Sequence, residues 1–360
     1  MGTKKENGAK IVPQGDVMKN IMLRLEKIIP EGMQDFQIRY AILQAILENE
    51  PIGRRLLAGL TTYSERTVRA TTDILSKQGL IQIAHTGMLT TQKGRTLLDE
   101  LYLPLQELNE FSLLEEQIAT LTGAKKVIIV SGNVDEKESV KWQLGKAGSK
   151  LVLSLIEEGS TIAITGGSTI AKMVEVTPQK QEGSTNATII PARGSIGKRM
   201  EFQANVLAAE FAKKIAGKHE ILNIPDNLSV ASIETIKQEP HIQKTLQRLR
   251  KSDIIILGLG DAMKMAKRRN ENEEIMALLK EKEAVAEAFR YYFNKEGEII
   301  YSATNIGLDL EIAMQIPTRI VLAGGKSKAI ALLATKSLLK GSYLVIDEGA
   351  ARYMVEVSIR

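Results

Sequence analysis

Residues 162–171, Ile-Ala-Ile-Thr-Gly-Gly-Ser-Thr-Ile-Ala, run an apolar strand into two glycines, two hydroxyl residues and then a helix. Glycines let a backbone approach an anion closely, and the free amides at a helix start sit in a favourable dipole. Gly166, Gly167, Ser168 and Thr169 are therefore candidate phosphate ligands; a plain strand-to-helix turn is the alternative. The spacing is not the phosphate loop of nucleotide hydrolases, because no Gly-Lys-Ser/Thr follows, and it is not a dinucleotide G-x-G-x-x-G. Three more strand ends have a similar composition: Pro191-Ala192-Arg193-Gly194, Gly258-Leu259-Gly260-Asp261-Ala262, and Gly324-Gly325-Lys326-Ser327-Lys328-Ala329. In an open α/β sheet, ligands sit beyond the carboxyl ends of the strands. Four such ends rich in Gly, Ser, Thr, Arg and Lys predict one anion-binding crevice, with a small phosphorylated metabolite as its natural occupant.

A second chemistry stands near the N-terminus. Arg54, Arg55, Arg66 and Arg69 face a single acid, Glu65, between positions 54 and 69. A basic face of this kind suits DNA phosphates, although a solvated helix surface has the same charge. The candidate DNA-contacting residues are Arg54, Ser64, Glu65, Arg66, Thr67 and Arg69, where arginine suits guanine and Ser or Thr suits phosphate. His85 is expected on the DNA side or simply at the surface.

Catalysis is poorly supported. The three histidines, His85, His219 and His241, lie away from the glycine-rich strand ends, and no Ser-His-Asp or metal-ligand constellation is visible. With no cysteine, disulfides, thiolate zinc sites and Cys nucleophiles are excluded, which fits a cytoplasmic protein. The sequence calls for no cofactor and no metal. The chain has no apolar run near the roughly 20 residues of a membrane helix, and its polar first ten residues do not form a signal peptide. A length of 360 residues suits two or three domains; the net charge of +5 is too mild to imply nucleic acid by itself.

The elements that must position these residues divide the chain. Residues 1–15 are expected to be a disordered tail. Apolar spacing predicts helices over 37–48, 54–58 and 65–77, the last capped by Ser64 and ended by Gly79. Residues 80–90 then read as two short strands with a turn at Thr86-Gly87. Three helices followed by a hairpin is the order of a winged helix-turn-helix, assigned to 16–94, with the third helix as the major-groove reader. A Leu-rich helical linker, split at Pro104, covers 95–120; it packs across a dimer or onto its own domain. From 121 to 360, strands near 126–130, 161–165, 188–191, 253–259, 319–323 and 343–347 alternate with helices. This predicts an α/β fold with a mostly parallel, doubly wound sheet covered on both faces.

With these motifs in place, the chain resembles the SorC-type family of bacterial sugar regulators, and within it a branch that represses glycolytic genes in Gram-positive bacteria. The resemblance spans about 15–353. It rests on the winged domain, residues 164–169, Pro191-Ala192-Arg193-Gly194, Gly258-Leu259-Gly260-Asp261-Ala262 and Gly324-Gly325-Lys326-Ser327-Lys328-Ala329. It implies an effector domain similar in fold to sugar-phosphate isomerases and glucosamine-phosphate deaminases. The implied effector is a sugar phosphate, fructose-1,6-bisphosphate in that branch. Carried over by motif, one phosphate meets Gly166, Gly167, Ser168 and Thr169 near Lys328, and the other meets Arg193 with Arg268 or Arg269. Gln203 and Glu287 bind sugar hydroxyls; the chain departs from the pattern at Ala286, where a glycine commonly stands. The implied partners are operator DNA and further copies of the chain, as a dimer or tetramer. The competing reading is an isomerase or deaminase with an appended DNA-binding domain. Such deaminases resemble one another in following the Gly-x-Gly turn with Asp-Gly-His, whereas this chain has Asp261-Ala262-Met263.

Overall fold

The computed structural model describes residues 28–61, 63–108, 111–180, 185–194, 199–222, 224, 228–303 and 306–359. The tail expected over 1–15 and the start of the winged unit lie outside them. The chain divides into two units between Ser112 and Leu113, inside the stretch read from sequence as a linker.

In the first unit, α1 (Pro30–Asn49), α2 (Arg54–Leu60) and α3 (Glu65–Lys77) precede the hairpin β1 (Ile81–Ala84) and β2 (Gly87–Thr90). Helix α1 starts with proline at its first turn, where the missing amide costs nothing. Ser64 caps α3, its side chain accepting from the Thr67 amide at 3.2 Å. The hairpin pairs Ile81 with Thr90 and Ala84 with Gly87, so its two turn residues are His85 and Thr86, one position earlier than expected. Ile42, Ile46, Ile52, Leu57, Val68, Leu75, Met88 and Leu98 form the core. Leu98 belongs to α4 (Gln92–Leu108), so the first turns of that helix are part of the winged unit. Helix α4 also runs through Pro104 as far as Leu108, contrary to the expected split. A proline forgoes one intrahelical bond and crowds the preceding turn, a local penalty that a long helix can carry.

The second unit opens with α5 (Ser112–Thr122) and β3 (Lys126–Val130). Glu115 on α5 accepts from the Ile129 amide at 2.9 Å, covering part of an edge strand that would otherwise present unpaired backbone. The chain continues through α6 (Ser139–Leu155), β4 (Thr161–Ile164), α7 (Ser168–Val176), β5 (Thr188–Pro191), α8 (Ala204–Lys214) and β6 (Lys218–His219). Then follow α9 (Val230–Lys237), α10 (Pro240–Arg250), β7 (Ile254–Gly258), β8 (Gly260–Asp261), α11 (Ala262–Arg269) and α12 (Glu273–Glu281). After β9 (Ala286–Ala288), β10 (Tyr291–Phe293), β11 (Ile299–Ser302) and α13 (Leu310–Gln315) come β12 (Thr318–Leu322), α14 (Ala329–Ala334), α15 (Lys336–Leu339), β13 (Tyr343–Asp347) and α16 (Glu348–Ile359).

Seven of these strands form one sheet in the order β3-β13-β12-β7-β4-β5-β6, every pair parallel. Strands such as Ile162–Ile164 and Ile254–Leu257 are fully buried because helices cover both faces, which is why they read as continuous apolar runs. This is the doubly wound α/β fold that the alternation of elements implied. Strand β4 leads outward to β5 and β6, whereas β7 leads the opposite way to β12 and β13. The β4/β7 boundary is thus the switch point of the sheet, where a crevice opens beyond the strand ends. A second, antiparallel sheet, β11-β10-β9-β8, grows directly from the end of β7 and was not foreseen.

Candidate functional site

At the switch point, Thr165-Gly166-Gly167 leaves β4 and enters α7. The Gly167 amide donates to the Phe202 carbonyl at 2.9 Å, and the first intrahelical bond runs from Ala171 to Gly167. No side chain caps the helix, so the amides of Ser168, Thr169 and Ile170 begin α7 without a partner from the helix itself. Gly167 has φ +128°, a conformation that favours glycine. A Cβ on Gly166 would lie 2.3 Å from the Phe202 carbonyl oxygen, so the turn admits no larger residue there.

These residues line a cleft of about 1030 Å³, counting its open mouth. Its walls include Gly166, Gly167, Ser168, Thr169, Arg193, Arg268, Glu287 and Lys328, all anticipated from sequence. Phe202, Lys264, Phe289 and Arg199 also line it and were missed. Five cations (Arg193, Arg199, Lys264, Arg268 and Lys328) face two acids (Asp261 and Glu287). A low-dielectric recess with this imbalance concentrates anions.

Two expected residues do not line the cleft. Gln203 stands at the head of α8 just beyond Phe202. Arg269 is buried, where it pairs with Glu287 and donates to the Phe289 carbonyl at 2.8 Å. The two adjacent arginines diverge through helix geometry: successive residues on α11 point about 100° apart. Arg268 therefore faces the cleft and Arg269 the interior.

Glu287 reaches the cleft because β9 pairs antiparallel with β8, setting Glu287 opposite Gly260. A Cβ on Gly260 would fall 3.1 Å from a Glu287 carboxylate oxygen, so the glycine leaves room for it. Arg193 stands 3.6 Å from the same carboxylate and donates to the Phe289 carbonyl at 2.7 Å. Phe289 itself has φ +60°, which costs a non-glycine residue free energy; its carbonyl takes both guanidinium groups. The buried acid is thus held between two arginines, as a buried charge requires.

Gly324-Gly325, the other glycine pair, contributes differently from expectation. Asp347 accepts from the Gly325 amide at 2.7 Å, Asn133 from Lys326 at 3.1 Å and Asp135 from Ser327 at 2.7 Å. The chain's own side chains already fill this turn, and only Lys328 extends from it into the cleft. Burial pulls the Lys328 ammonium below its ordinary pKa, with Lys264 and Arg268 adding to the effect and Asp261 and Glu287 opposing it. Burial likewise raises the Asp347 carboxyl, against three backbone donors that lower it. Asp261 caps α11 by accepting from the Lys264 amide at 2.8 Å. Among the described residues, no group of three or more His, Cys, Asp or Glu could hold a metal ion. Nor is any helix there long and apolar enough to cross a membrane.

In the first unit, Ser64, Glu65, Arg66 and Arg69 are exposed on the first turns of α3, with Thr67 half-buried beside them. His85 is exposed at the hairpin tip. Arg54 donates to Thr72 at 3.2 Å and pairs with Asp73 at 2.5 Å, tying α2 to α3.

Residues 106–356 match the Sugar-bind family of sugar-binding domains, and residues 36–103 match the CggR N-terminal DNA binding domain. The chain is 35% identical to a central glycolytic genes regulator from Priestia megaterium, over 94% of this chain and 99% of that one. Identity to a protein of the same name from Bacillus subtilis is 34%, with the same coverage. A solved SorC family transcriptional regulator from Enterococcus faecalis shares 33% identity at a TM-score of 0.62, over 68% of this chain and 99% of the other. This chain belongs to the SorC family. The full-length sorbitol operon regulator from Klebsiella pneumoniae, 18% identical at a TM-score of 0.65 over 89% of this chain and 99% of that one, shares the fold. This SorC-family chain therefore carries a DNA-binding domain followed by a sugar-binding domain. The relatives from Priestia megaterium and Bacillus subtilis and the solved Enterococcus faecalis neighbour are all named as regulators.

Proposed function

We propose that this protein represses glycolytic genes in the cytoplasm and that fructose-1,6-bisphosphate sets its affinity for operator DNA. The observation that carries the reading is the uncapped start of α7, with the Ser168, Thr169 and Ile170 amides open to a cationic cleft at the sheet's switch point. Free amides and a helix dipole suit a phosphate dianion, and the hydroxyls of Ser168 and Thr169 supply further donors. Lys328 neutralises charge nearby, while Arg193 and Arg268 supply cations for a second phosphate. Glu287, acceptor-only while ionised, takes sugar hydroxyls and repels phosphate, which orients the ligand. The names of the relatives from Priestia megaterium and Bacillus subtilis support glycolytic genes as the target.

In this reading residues 16–94 meet the DNA, 95–120 link and 121–360 sense the effector. Helix α3 enters the major groove with Arg66 and Arg69 toward base edges or phosphates and Ser64, Glu65 and Thr67 beside them; His85 flanks the backbone. Arg54 keeps α2 and α3 at the angle this requires. A dimer or tetramer places two α3 helices on successive half-sites. The effector acts only through unequal affinity for DNA-competent and weakened states, a coupling commonly worth about 5- to 150-fold. Fluorescence anisotropy of the full chain on DNA from upstream of its own glycolytic genes tests this. The affinity changes at least about fivefold when fructose-1,6-bisphosphate is added. Identical affinity with and without the bisphosphate and every related sugar phosphate contradicts the proposal.

A further inference from the structure

Two lysines line the cleft, and they stand in different surroundings. Lys264 is exposed on α11, whereas Lys328 is half-buried at the end of the filled glycine turn. The Lys328 ammonium has no hydrogen-bond or ion-pair partner among the described residues. Its stem is fixed, because Asp347, Asn133 and Asp135 hold the amides of Gly325, Lys326 and Ser327 just before it. Burial favours the neutral amine at Lys328, and the nearby charges of Lys264 and Arg268 act the same way, against Asp261 and Glu287. A desolvated lysine beside other cations is the usual setting of a nucleophilic amine.

Two other lysines close by in the chain lack this setting. Lys326 is exposed, with Nζ 4.6 Å from the centre of the Tyr353 ring. Lys267 is exposed and outside the cleft lining. The cleft also contains the open start of α7, whose Ser168, Thr169 and Ile170 amides suit a phosphate group. An amine and a phosphate-binding helix start in one recess match a compound that carries phosphate on an acyl carbon.

We propose that Lys328 is a modification site, acylated by small acyl phosphates that dock with their phosphate on the start of α7. The ammonium first gives one proton to solvent. The amine nitrogen then bonds to the acyl carbon, the carbon–oxygen bond to phosphate breaks, and inorganic phosphate departs with a further proton from the amine. The α7 amides stabilise the charge on the departing phosphate, and holding both reactants in one recess speeds their encounter. The product is a neutral amide, so the cleft loses one cation and holds an anionic effector less tightly. This regulation deepens the phosphate-binding reading of the cleft and rests on it.

Incubation of the full chain with acetyl phosphate, followed over time by peptide mass spectrometry, tests the assignment. Lys328 is acetylated at least about tenfold faster than Lys267 and Lys326, and saturating fructose-1,6-bisphosphate suppresses the Lys328 label alone. The melting midpoint is read with the same bisphosphate, which raises it when bound to the folded chain. If the midpoint rises but Lys328 reacts no faster than the two reference lysines, or reacts equally with and without the bisphosphate, the acylation is overturned and the effector reading stands. A midpoint that no sugar phosphate raises overturns the effector reading and this proposal with it.

Discussion

Gly166-Gly167 and Gly324-Gly325 occupy equivalent places: each follows a buried parallel strand, and each precedes a helical turn that contains a serine and begins near the switch point. In the first, the amides of Ser168, Thr169 and Ile170 have no helical partner and line an electropositive cleft. In the second, Asp347, Asn133 and Asp135 take the successive amides of Gly325, Lys326 and Ser327. The same local sequence thus makes a site when left open and a scaffold when filled. The filled turn still serves the open one, because it fixes the stem from which Lys328 reaches the cleft. Its cost is a carboxylate at Asp347 that is wholly buried and raised in pKa by that burial.

Breaking the filled turn gives the largest expected effect. Asp347 accepts from Val134, Gly325 and Ala350 at 2.7, 2.7 and 2.9 Å. Asp347→Ala leaves these amides without their acceptor and destabilises the chain by about 3 kcal/mol, since each stranded buried donor costs about 1–3 kcal/mol before relaxation. Denaturant unfolding measures it; a loss under about 1 kcal/mol would show that the turn stands without its acid. Filling the open turn is the converse test, with a smaller effect. Ser168→Asp puts a carboxylate in the first turn of α7, where it stabilises the helix by about 0.3–1 kcal/mol. The new charge also repels phosphate, so fructose-1,6-bisphosphate binding falls about tenfold or more while the melting midpoint rises. Stronger binding in this variant would place the anion elsewhere.

How much of this was legible in the sequence depends on whether the determining contacts were local. Helix α3 begins and ends at the expected residues because Ser64 and Gly79 mark its ends in the chain itself. The main strands were visible as apolar runs bounded by turns. The sheet β8 to β11 was not, because strands of two to four residues are too short to show alternation. The arginines carry the same lesson. Arg268 and Arg269 look alike until Glu287, 18 residues on, arrives by strand pairing to claim one of them. Arg54 meets Thr72 and Asp73 only because α3 brings them beside it, 18 and 19 residues on. Lys264 did carry a sequence signal, its four-residue spacing from Arg268 after a capping Asp261, but it becomes meaningful only once α11 is known to be a helix beside the cleft. The acceptors that fill the second glycine turn come from strand ends more than 20 or more than 190 residues away, beyond any local pattern.

The contrast between the two turns can be read directly from their amides. Amide resonances of the isotopically labelled full chain should be followed by NMR during titration with fructose-1,6-bisphosphate. The account predicts that Ser168, Thr169 and Ile170 shift strongly and saturably while Gly325, Lys326 and Ser327 stay nearly still. Shifts confined to Gly325, Lys326 and Ser327, or a silent α7 start at saturating ligand, would contradict it.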